Sequence, residues 1–177
     1  VYKRQFHDIS EKNLDLFSRL IQKDIEQNKL PAKIEQSTDR KKSLDGAKYI
    51  INCTRIGGLE AFEHDINIPL QYGVDQCVGD TICAGGILYG QRNIPQTLNF
   101  CEDIKSYSHT DALFLNYSNP MAMNTWAAVS EAKVNTVGLC HGVQGGAKLI
   151  SKALGSENDT DLEYMCSGIN HMTWYIE

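Results

Sequence analysis

Three short apolar runs, rich in β-branched and aromatic residues, recur along the chain, and a stretch with helical character follows each of them. The runs are YIINCT at 49–54, ALFLN at 112–116 and VNTVGLC at 134–140. Short runs of this kind are typical of strands buried on both faces of a parallel sheet. Strands that alternate with helices indicate βαβ units. The sequence therefore predicts an α/β protein with an open parallel sheet.

Capping residues and helical spacing predict the helices. Ser10 is a suitable N-cap for a helix that continues to about Lys29. A short strand is predicted at Lys33–Gln36. Further helices are predicted at 60–72 with a disturbance at Pro69, at 87–106 with a kink at Pro95, after Pro120, and from 143. The glycine-containing stretch 74–86 has no periodicity and is predicted to be a loop.

Charge and cysteine content exclude several classes of function. The net charge is −5 and the 17 basic residues are scattered, so no electrostatic footprint for nucleic acid or an anionic membrane is present. No apolar run approaches the roughly 20 residues of a membrane span. The six cysteines form no CxxC pair, and they are predicted to be reduced thiols of a cytoplasmic protein.

Polar residues cluster at predicted strand ends, where sheets of this type bind ligands. Asp8, Asn52, Asn119 and Cys140 all occupy such positions. Simpler interpretations stay open: an acid at position 8 can start the next helix, and the amides of NYSNP at 116–120 can form the turn. Asp80 and Arg92 flank the glycine-rich loop and the long helix, where an arginine either binds an anion or pairs at the surface.

The pair Cys140–His141 indicates a metal ion. A thiolate and an imidazole both suit a transition metal. Adjacent residues on an extended strand point to opposite faces, so one of the two is expected to be a ligand and the other to have a different role. His171 is the nearest further candidate ligand. The alternative is a buried cysteine and two histidines that are merely hydrogen-bonded.

Several blocks taken together resemble the family 4 glycoside hydrolases, in particular their α-galactosidase and α-glucosidase branch. The blocks are YIINCTRIGGLEAFEHDINIPLQYGVDQCVGDT, GGILYGQRNIP, NYSNPMAMNTW, VGLCHGVQGG and GINHMTWYIE. The resemblance extends from about Phe6 to the last residue. It implies a Rossmann-like fold similar to that of lactate and malate dehydrogenases, with NAD and a divalent metal, usually Mn²⁺, as cofactors.

The resemblance also implies roles for particular residues. Cys140 and His171 match metal ligands, and His141 matches the position of an acid that protonates the leaving group. The remaining matches are a cofactor and substrate set: Asp8 and Asn52 for NAD, Asn119 for both sugar and NAD, and Asn170, Arg92 and Asp80 for the substrate. CAGG at 83–86 and CHGVQGG at 140–146 depart from the family's usual GPGG and CHSVQGT.

The implied reaction is hydrolysis of α-glycosidic bonds, with α-galactosides as the expected substrates, through redox and elimination steps. Hydride passes from sugar C3 to NAD, the metal assists removal of the C2 proton, the C1 oxygen leaves, water adds, and the hydride returns. Two alternatives stay open: an NAD-dependent dehydrogenase of the same fold, and an inactive, truncated binding domain.

The sequence is expected to be a fragment. It has no initiating Met, and HMTWYIE stops within a predicted strand. Residues 1–154 are predicted to form the NAD-binding domain without its first strand and glycine loop, and 155–177 to begin an α+β substrate domain. The family's catalytic Tyr is not in this chain. The full-length protein is expected to be a homodimer or homotetramer that takes a small-molecule glycoside.

Overall fold

The structure, a computed structural model, describes residues 2–156 and 163–176. Helices and strands follow one another along the chain in the order β1 Tyr2–His7, α1 Glu11–Asn28, β2 Ala32–Ser37, α2 Arg40–Leu44, β3 Tyr49–Asn52, α3 Gly58–Gln71, α4 Ala84–Tyr107, β4 Leu113–Asn116, α5 Met121–Ser130, β5 Thr136–Gly138, α6 Gly142–Ala153, β6 Cys166–Ile169 and β7 Met172–Tyr175. The elements fall into two compact units, Val1–Ile50 with Phe100–Leu113, and Ile51–Asn99 with Phe114–Glu177.

The first unit contains a parallel pair of strands connected by a helix. β1 and β2 pair in parallel, with Phe6 opposite Gln36. The predicted helix after Ser10 is confirmed: the Ser10 hydroxyl accepts a hydrogen bond from Asn13 N at 3.3 Å and α1 ends at Asn28. Cys101 is fully buried here, and burial raises the pKa of its thiol to about 11, so the thiol is inert at neutral pH.

The sheet of β3, β4 and β5 carries the three apolar runs. Its strand order is β3-β4-β5, β4 and β5 are parallel, and α5 packs against β5. The predicted α/β class with a parallel, Rossmann-like sheet is confirmed. The expectation that 49–54 is buried on both faces is wrong, because Tyr49 and Ile51 are 66% and 68% exposed while Asn52 is buried. Within the described residues only one face of β3 is packed.

Helix α4 differs from its prediction in extent and in the face that it buries. It starts at Ala84 and contains Pro95. Helical spacing predicts a buried stripe of Ile87, Ile94, Leu98, Cys101 and Ile104. Cys101 and Ile104 are buried as predicted, Ile94 and Leu98 are half-buried, and Ile87 is 54% exposed. The buried face also includes the i, i+4 row Tyr89, Asn93 and Thr97, which leads to Cys101. A hydrogen bond accompanies the burial of Asn93, whose Nδ2 donates to the Asn119 carbonyl at 2.8 Å. A hydrogen bond to a distant residue therefore helps to determine which face of α4 is buried.

The last described segment is a β-hairpin. β6 and β7 pair antiparallel, and Asn170 and His171 form the turn, where His171 has a left-handed φ of 67°. The hairpin is attached to α6 because Tyr175 Oη donates to the Val143 carbonyl at 2.6 Å. Gly146 makes this approach possible, since a Cβ there would lie 2.2 Å from Tyr175 Oη.

Two other expectations concern organisation and environment. The predicted domain boundary after residue 154 stays a prediction, and residues 157–162 lie outside the described part of the chain. The cysteines are free thiols. Among the residues that the structure describes, no helix combines the length and hydropathy needed to cross a bilayer.

Candidate functional site

The two predicted metal ligands meet in space although 31 residues separate them. Cys140 Sγ lies 3.4 Å from His171 Nε2. Cys140 belongs to the short connection between β5 and α6, and His171 belongs to the turn of the β6–β7 hairpin. A thiolate and an imidazole that bind one ion at about 2.3 and 2.1 Å lie roughly 3–4 Å apart. The two side chains therefore have the spacing that a shared ion requires.

A threonine holds the other nitrogen of the His171 ring. Thr81 Oγ1 lies 2.9 Å from His171 Nδ1 and 3.4 Å from Asp80 Oδ1. Thr81 is only 5% exposed and lies in the loop between α3 and α4. The ring of His171 is thus fixed from one side by Thr81 and faces Cys140 with its other nitrogen.

The side chains of His141 and Cys140 have different surroundings, as predicted, but the reason is not alternation along a strand. β5 already ends at Gly138, and His141 is the residue that precedes the first turn of α6. Its ring is exposed, with Nδ1 3.5 Å from the hydroxyl of Tyr117. Because the backbone turns here, Cys140 faces His171 while His141 faces solvent and Tyr117.

Asp80 and Asn119, both predicted to bind substrate, contact each other. Asp80 Oδ2 accepts hydrogen bonds from Asn119 Nδ2 at 3.0 Å and from Arg55 Nη2 at 3.2 Å. The Arg55 guanidinium also lies over the rings of Phe62 and Tyr89, 4.5 and 5.0 Å from their centres. These contacts place a carboxylate and an amide in fixed positions next to Thr81.

Arg92 forms an ion pair with a buried carboxylate, that of Asp65. Its two terminal nitrogens donate to the two carboxylate oxygens of Asp65 at 3.0 and 2.6 Å, and Nε donates to the Ile56 carbonyl at 2.9 Å. The hydrogen bond to Asp65 raises the pKa of the Arg92 guanidinium. The bidentate pair connects α3 to α4, which is a structural role; substrate binding by Arg92 stays a prediction.

Asn52 and Asp8, which are predicted to bind NAD but not the sugar, also have hydrogen-bond partners within the protein. Asn52 Nδ2 donates to Asn116 Oδ1 at 3.1 Å, and Asn52 Oδ1 accepts from the Thr54 hydroxyl at 2.9 Å. In the first unit, Asp8 Oδ1 accepts from Ser10 N at 2.8 Å, directly before α1. Asp8 is half-buried at the carboxyl end of β1, a position that fits an acid accepting bonds from a ribose.

A cavity of about 660 Å³ opens beside the Cys140–His171 pair. Gly142, Asn170 and Tyr175 line it together with the two ligand candidates. Asn170 Oδ1 is buried and has no hydrogen-bond partner among the described residues. An unpaired buried carbonyl oxygen is costly, so this atom is suited to accept a hydrogen bond from a ligand hydroxyl.

The donor set fits a metal ion that keeps coordination positions open. Among the described residues, no group of three or more His, Cys, Asp or Glu side chains is arranged to enclose an ion. Cys140 and His171 would supply two ligands, a thiolate and an imidazole, both of which suit a transition metal. An open coordination sphere is what distinguishes catalytic from structural metal sites.

Sequence reasoning missed Thr81, Arg55, Asp65 and Tyr117. Thr81 follows the predicted Asp80 directly, and Arg55 follows the strand β3, so strand-end position could have indicated Arg55. Nothing local distinguishes Thr81, because its partner His171 lies 90 residues further along the chain.

Comparison with known proteins gives consistent similarities. The family model for family 4 glycosyl hydrolases matches residues 2–156. An α-galactosidase of Rhizobium meliloti (strain 1021) is 60% identical over 170 residues, which cover 96% of this chain and 34% of that protein. An α-galactosidase of Bacillus subtilis (strain 168) is 41% identical over 145 residues, 81% of this chain and 33% of that protein. The chain thus spans about a third of the length of these relatives.

The fold is also found in a solved structure. A 6-phospho-α-glucosidase from gut microorganisms, crystallised with NAD and Mn²⁺, has a TM-score of 0.87 and 24% identity. The match covers 99% of this chain and 40% of that one. At this level of identity, the similarity establishes the fold.

Proposed function

Because this chain belongs to family 4 of the glycosyl hydrolases, we propose that the whole protein hydrolyses α-galactosides with NAD and a divalent metal, manganese being the expected ion. Two α-galactosidase relatives support the substrate class. The observation that carries the metal requirement is the 3.4 Å approach of Cys140 Sγ to His171 Nε2 beside a cavity. The proposed route is the redox and elimination sequence predicted from the resemblance.

When bound, NAD supplies a reversible hydride acceptor, and the metal supplies a Lewis acid that stabilises negative charge on sugar oxygens. The residues of the chain bind and orient. Cys140 and His171 hold the ion, and Asn170 Oδ1 accepts a hydrogen bond from a sugar hydroxyl. Asn119, held by Asp80, is proposed to contact both sugar and cofactor, and Asp8 to accept bonds from the adenosine ribose.

His141 is proposed to protonate the departing glycosidic oxygen. Its ring is exposed and lies next to the Tyr117 hydroxyl, and the flanking residues Cys140 and Gly142 line the cavity. A group that donates a proton to a leaving oxygen needs solvent access for reprotonation and freedom from metal binding, and this position offers both. Tyr117 Oη, 3.5 Å from Nδ1, would orient the ring.

Removing NAD tests the proposed reaction. Whole protein stripped of nucleotide is expected to lose hydrolysis of nitrophenyl α-galactoside. NAD at a concentration far below that of the substrate is expected to restore hydrolysis without net NADH formation, because the hydride returns to the sugar in each turnover. Product release and NADH absorbance are followed together. Hydrolysis at the full rate by nucleotide-free protein would overturn the proposal, and steady accumulation of NADH would point to a dehydrogenase of the same fold.

The proposed acid is tested by changing the leaving group. The variant His141→Ala is expected to lose about 100-fold or more in kcat/KM on methyl α-galactoside, which needs a protonated leaving oxygen. On nitrophenyl α-galactoside the loss is expected to be below about tenfold, because nitrophenolate leaves without protonation. His109→Ala, an exposed histidine of the first unit, is the control. Equal losses on both substrates would rule out His141 as the acid.

Cytoplasmic location and assembly into dimers or tetramers belong to the same proposal. The absence of a basic surface pattern in the sequence supports a small-molecule substrate over nucleic acid or membrane as the partner.

A further inference from the structure

Thr81 lies between a carboxylate, which accepts hydrogen bonds, and a histidine ring nitrogen, which donates or accepts according to the tautomer. Its hydroxyl oxygen lies 2.9 Å from His171 Nδ1 and 3.4 Å from Asp80 Oδ1. A hydroxyl has one hydrogen to donate and can accept through its lone pairs. Its two neighbours decide which bond it donates and which it accepts.

The Asp80 carboxylate favours one direction for both bonds. Its other oxygen already accepts from Arg55 and Asn119, and a carboxylate paired with a guanidinium has only acceptor capacity. Thr81 therefore donates its hydrogen to Asp80. It is left to accept from His171, so the ring carries its hydrogen on Nδ1 and its lone pair on Nε2.

The Nε2 lone pair is the one that faces Cys140. With the hydrogen on Nδ1, the nitrogen 3.4 Å from Cys140 Sγ is unprotonated and ready to bind a cation. With the opposite tautomer, an N–H would occupy the position of the ion. Ligand histidines commonly have their ring orientation and tautomer fixed by a bond of this kind to the second nitrogen.

The backbone around Thr81 makes this position rigid. Gly86 in the first turn of α4 approaches it so closely that a Cβ there would lie 2.5 Å from the Thr81 carbonyl oxygen and carbon. Gln76, in the same loop, donates to the Asp65 carbonyl at 2.8 Å and accepts from Gly85 N at 3.1 Å. The loop is thus anchored to α3 and α4, and Thr81 Oγ1 is presented at a fixed point.

We propose that Thr81 is a positioning residue for the metal: by accepting the Nδ1 hydrogen of His171 and donating to Asp80, it fixes the tautomer in which Nε2 binds the cation. This inference rests on the metal site of the proposed function. Thr81 touches neither ion nor sugar, and it acts through His171. Arg55 and Asn119 support it by keeping Asp80 in place.

The variants Thr81→Val and Thr81→Ser test this in the whole protein. Valine keeps the volume of the side chain but cannot accept a hydrogen bond, whereas serine keeps the hydroxyl. We expect Thr81→Val to weaken Mn²⁺ binding about 10–100-fold and Thr81→Ser to stay within about threefold of the unmodified protein. Thr97→Val, which replaces a buried threonine on α4 that none of the described hydrogen bonds joins to His171, is the matched control.

Titration with Mn²⁺, followed by the spin resonance signal of the free ion, measures the affinity without activity. Long-range nitrogen–proton NMR of the metal-free, unmodified protein measures the tautomer directly and needs no variant to fold. The expected spectrum shows His171 protonated on Nδ1. An Nε2-protonated ring overturns the inference, as does unchanged Mn²⁺ affinity in Thr81→Val. If the unmodified protein binds no Mn²⁺, the metal site of the proposed function is wrong. If the unmodified protein binds Mn²⁺ and Thr81→Val binds it equally well, only the role of Thr81 is wrong.

Discussion

Replacing Cys140 with serine is expected to lower the affinity of the whole protein for Mn²⁺ by at least about 100-fold, because loss of a direct ligand exceeds the 10–100-fold cost of losing an outer partner. Cys140 Sγ lies 3.4 Å from the other ligand candidate, His171 Nε2. A serine hydroxyl is a harder and weaker donor than a thiolate. With His171 as the remaining strong ligand, the ion is expected to bind more weakly next to the cavity.

The same substitution is expected to lower kcat/KM for α-galactosides by at least about 100-fold, since a Lewis acid contributes several kcal/mol to transition-state charge stabilisation. His171→Ala is expected to behave alike. Mn²⁺ titration and steady-state kinetics measure the two effects separately, and excess Mn²⁺ is expected to restore part of the activity.

A second cysteine in the same cavity provides the control. Cys166 lines the cavity, is half-buried, and pairs with Tyr175 across the hairpin. Cys166→Ser is expected to bind Mn²⁺ as the unmodified protein does. If Cys140→Ser retained full Mn²⁺ affinity while remaining folded, the proposed metal centre would be wrong, and the cysteine and histidine would be packing neighbours.

Replacing Arg92 with alanine is expected to lower the free energy of unfolding by about 3 kcal/mol, the lower end of the cost of leaving a buried charge without its partner. Asp65 is 4% exposed and receives both terminal nitrogens of Arg92. The lower end applies because Arg92 itself reaches solvent, with 27% of its side chain exposed. Denaturant unfolding followed by circular dichroism measures the change.

An exposed pair on α1 is the matched control. Arg19 lies 3.4 Å from Asp15, and both side chains are more than half exposed. Arg19→Ala is expected to change the free energy of unfolding by less than about 0.5 kcal/mol. The double variant Asp65→Ala, Arg92→Ala removes both partners of the ion pair. Its loss in free energy of unfolding is expected to be smaller than the sum of the losses in the two single variants, because no unpaired charge remains.

The Arg92 experiment also separates its two possible roles. If the role of Arg92 is structural, Arg92→Ala is expected to lower the free energy of unfolding and to leave the KM of the folded protein nearly unchanged. If Arg92 binds the substrate, Arg92→Ala is expected to raise KM and to leave the free energy of unfolding nearly unchanged. The second result would contradict the structural role that the bidentate contact indicates and would support the role predicted from the resemblance.

Much of the fold followed from local patterns. The family resemblance and the parallel α/β class are confirmed. Ser10 begins the predicted helix, because a side chain that caps a helix bonds to backbone only three residues away. The face of α4 was predicted only in part: Cys101 and Ile104 are buried as predicted, whereas the burial of Asn93 was missed because the partner of its Nδ2, the Asn119 carbonyl, lies far along the chain.

The sequence by itself determined most of the succession of strands and helices, without α2 and β6, as well as the family and the identity of Cys140 and His171 as ligand candidates. Periodicity, capping and motif blocks are properties of neighbouring residues. Only the tertiary structure decided that these two side chains lie 3.4 Å apart, that Thr81 holds the ring from its other side, and that Arg92 is engaged by Asp65. Such contacts depend on how the fold brings together residues that are tens of positions apart in the sequence. Hydrogen bonds and ion pairs act over a few ångströms, so they leave no trace in the local sequence.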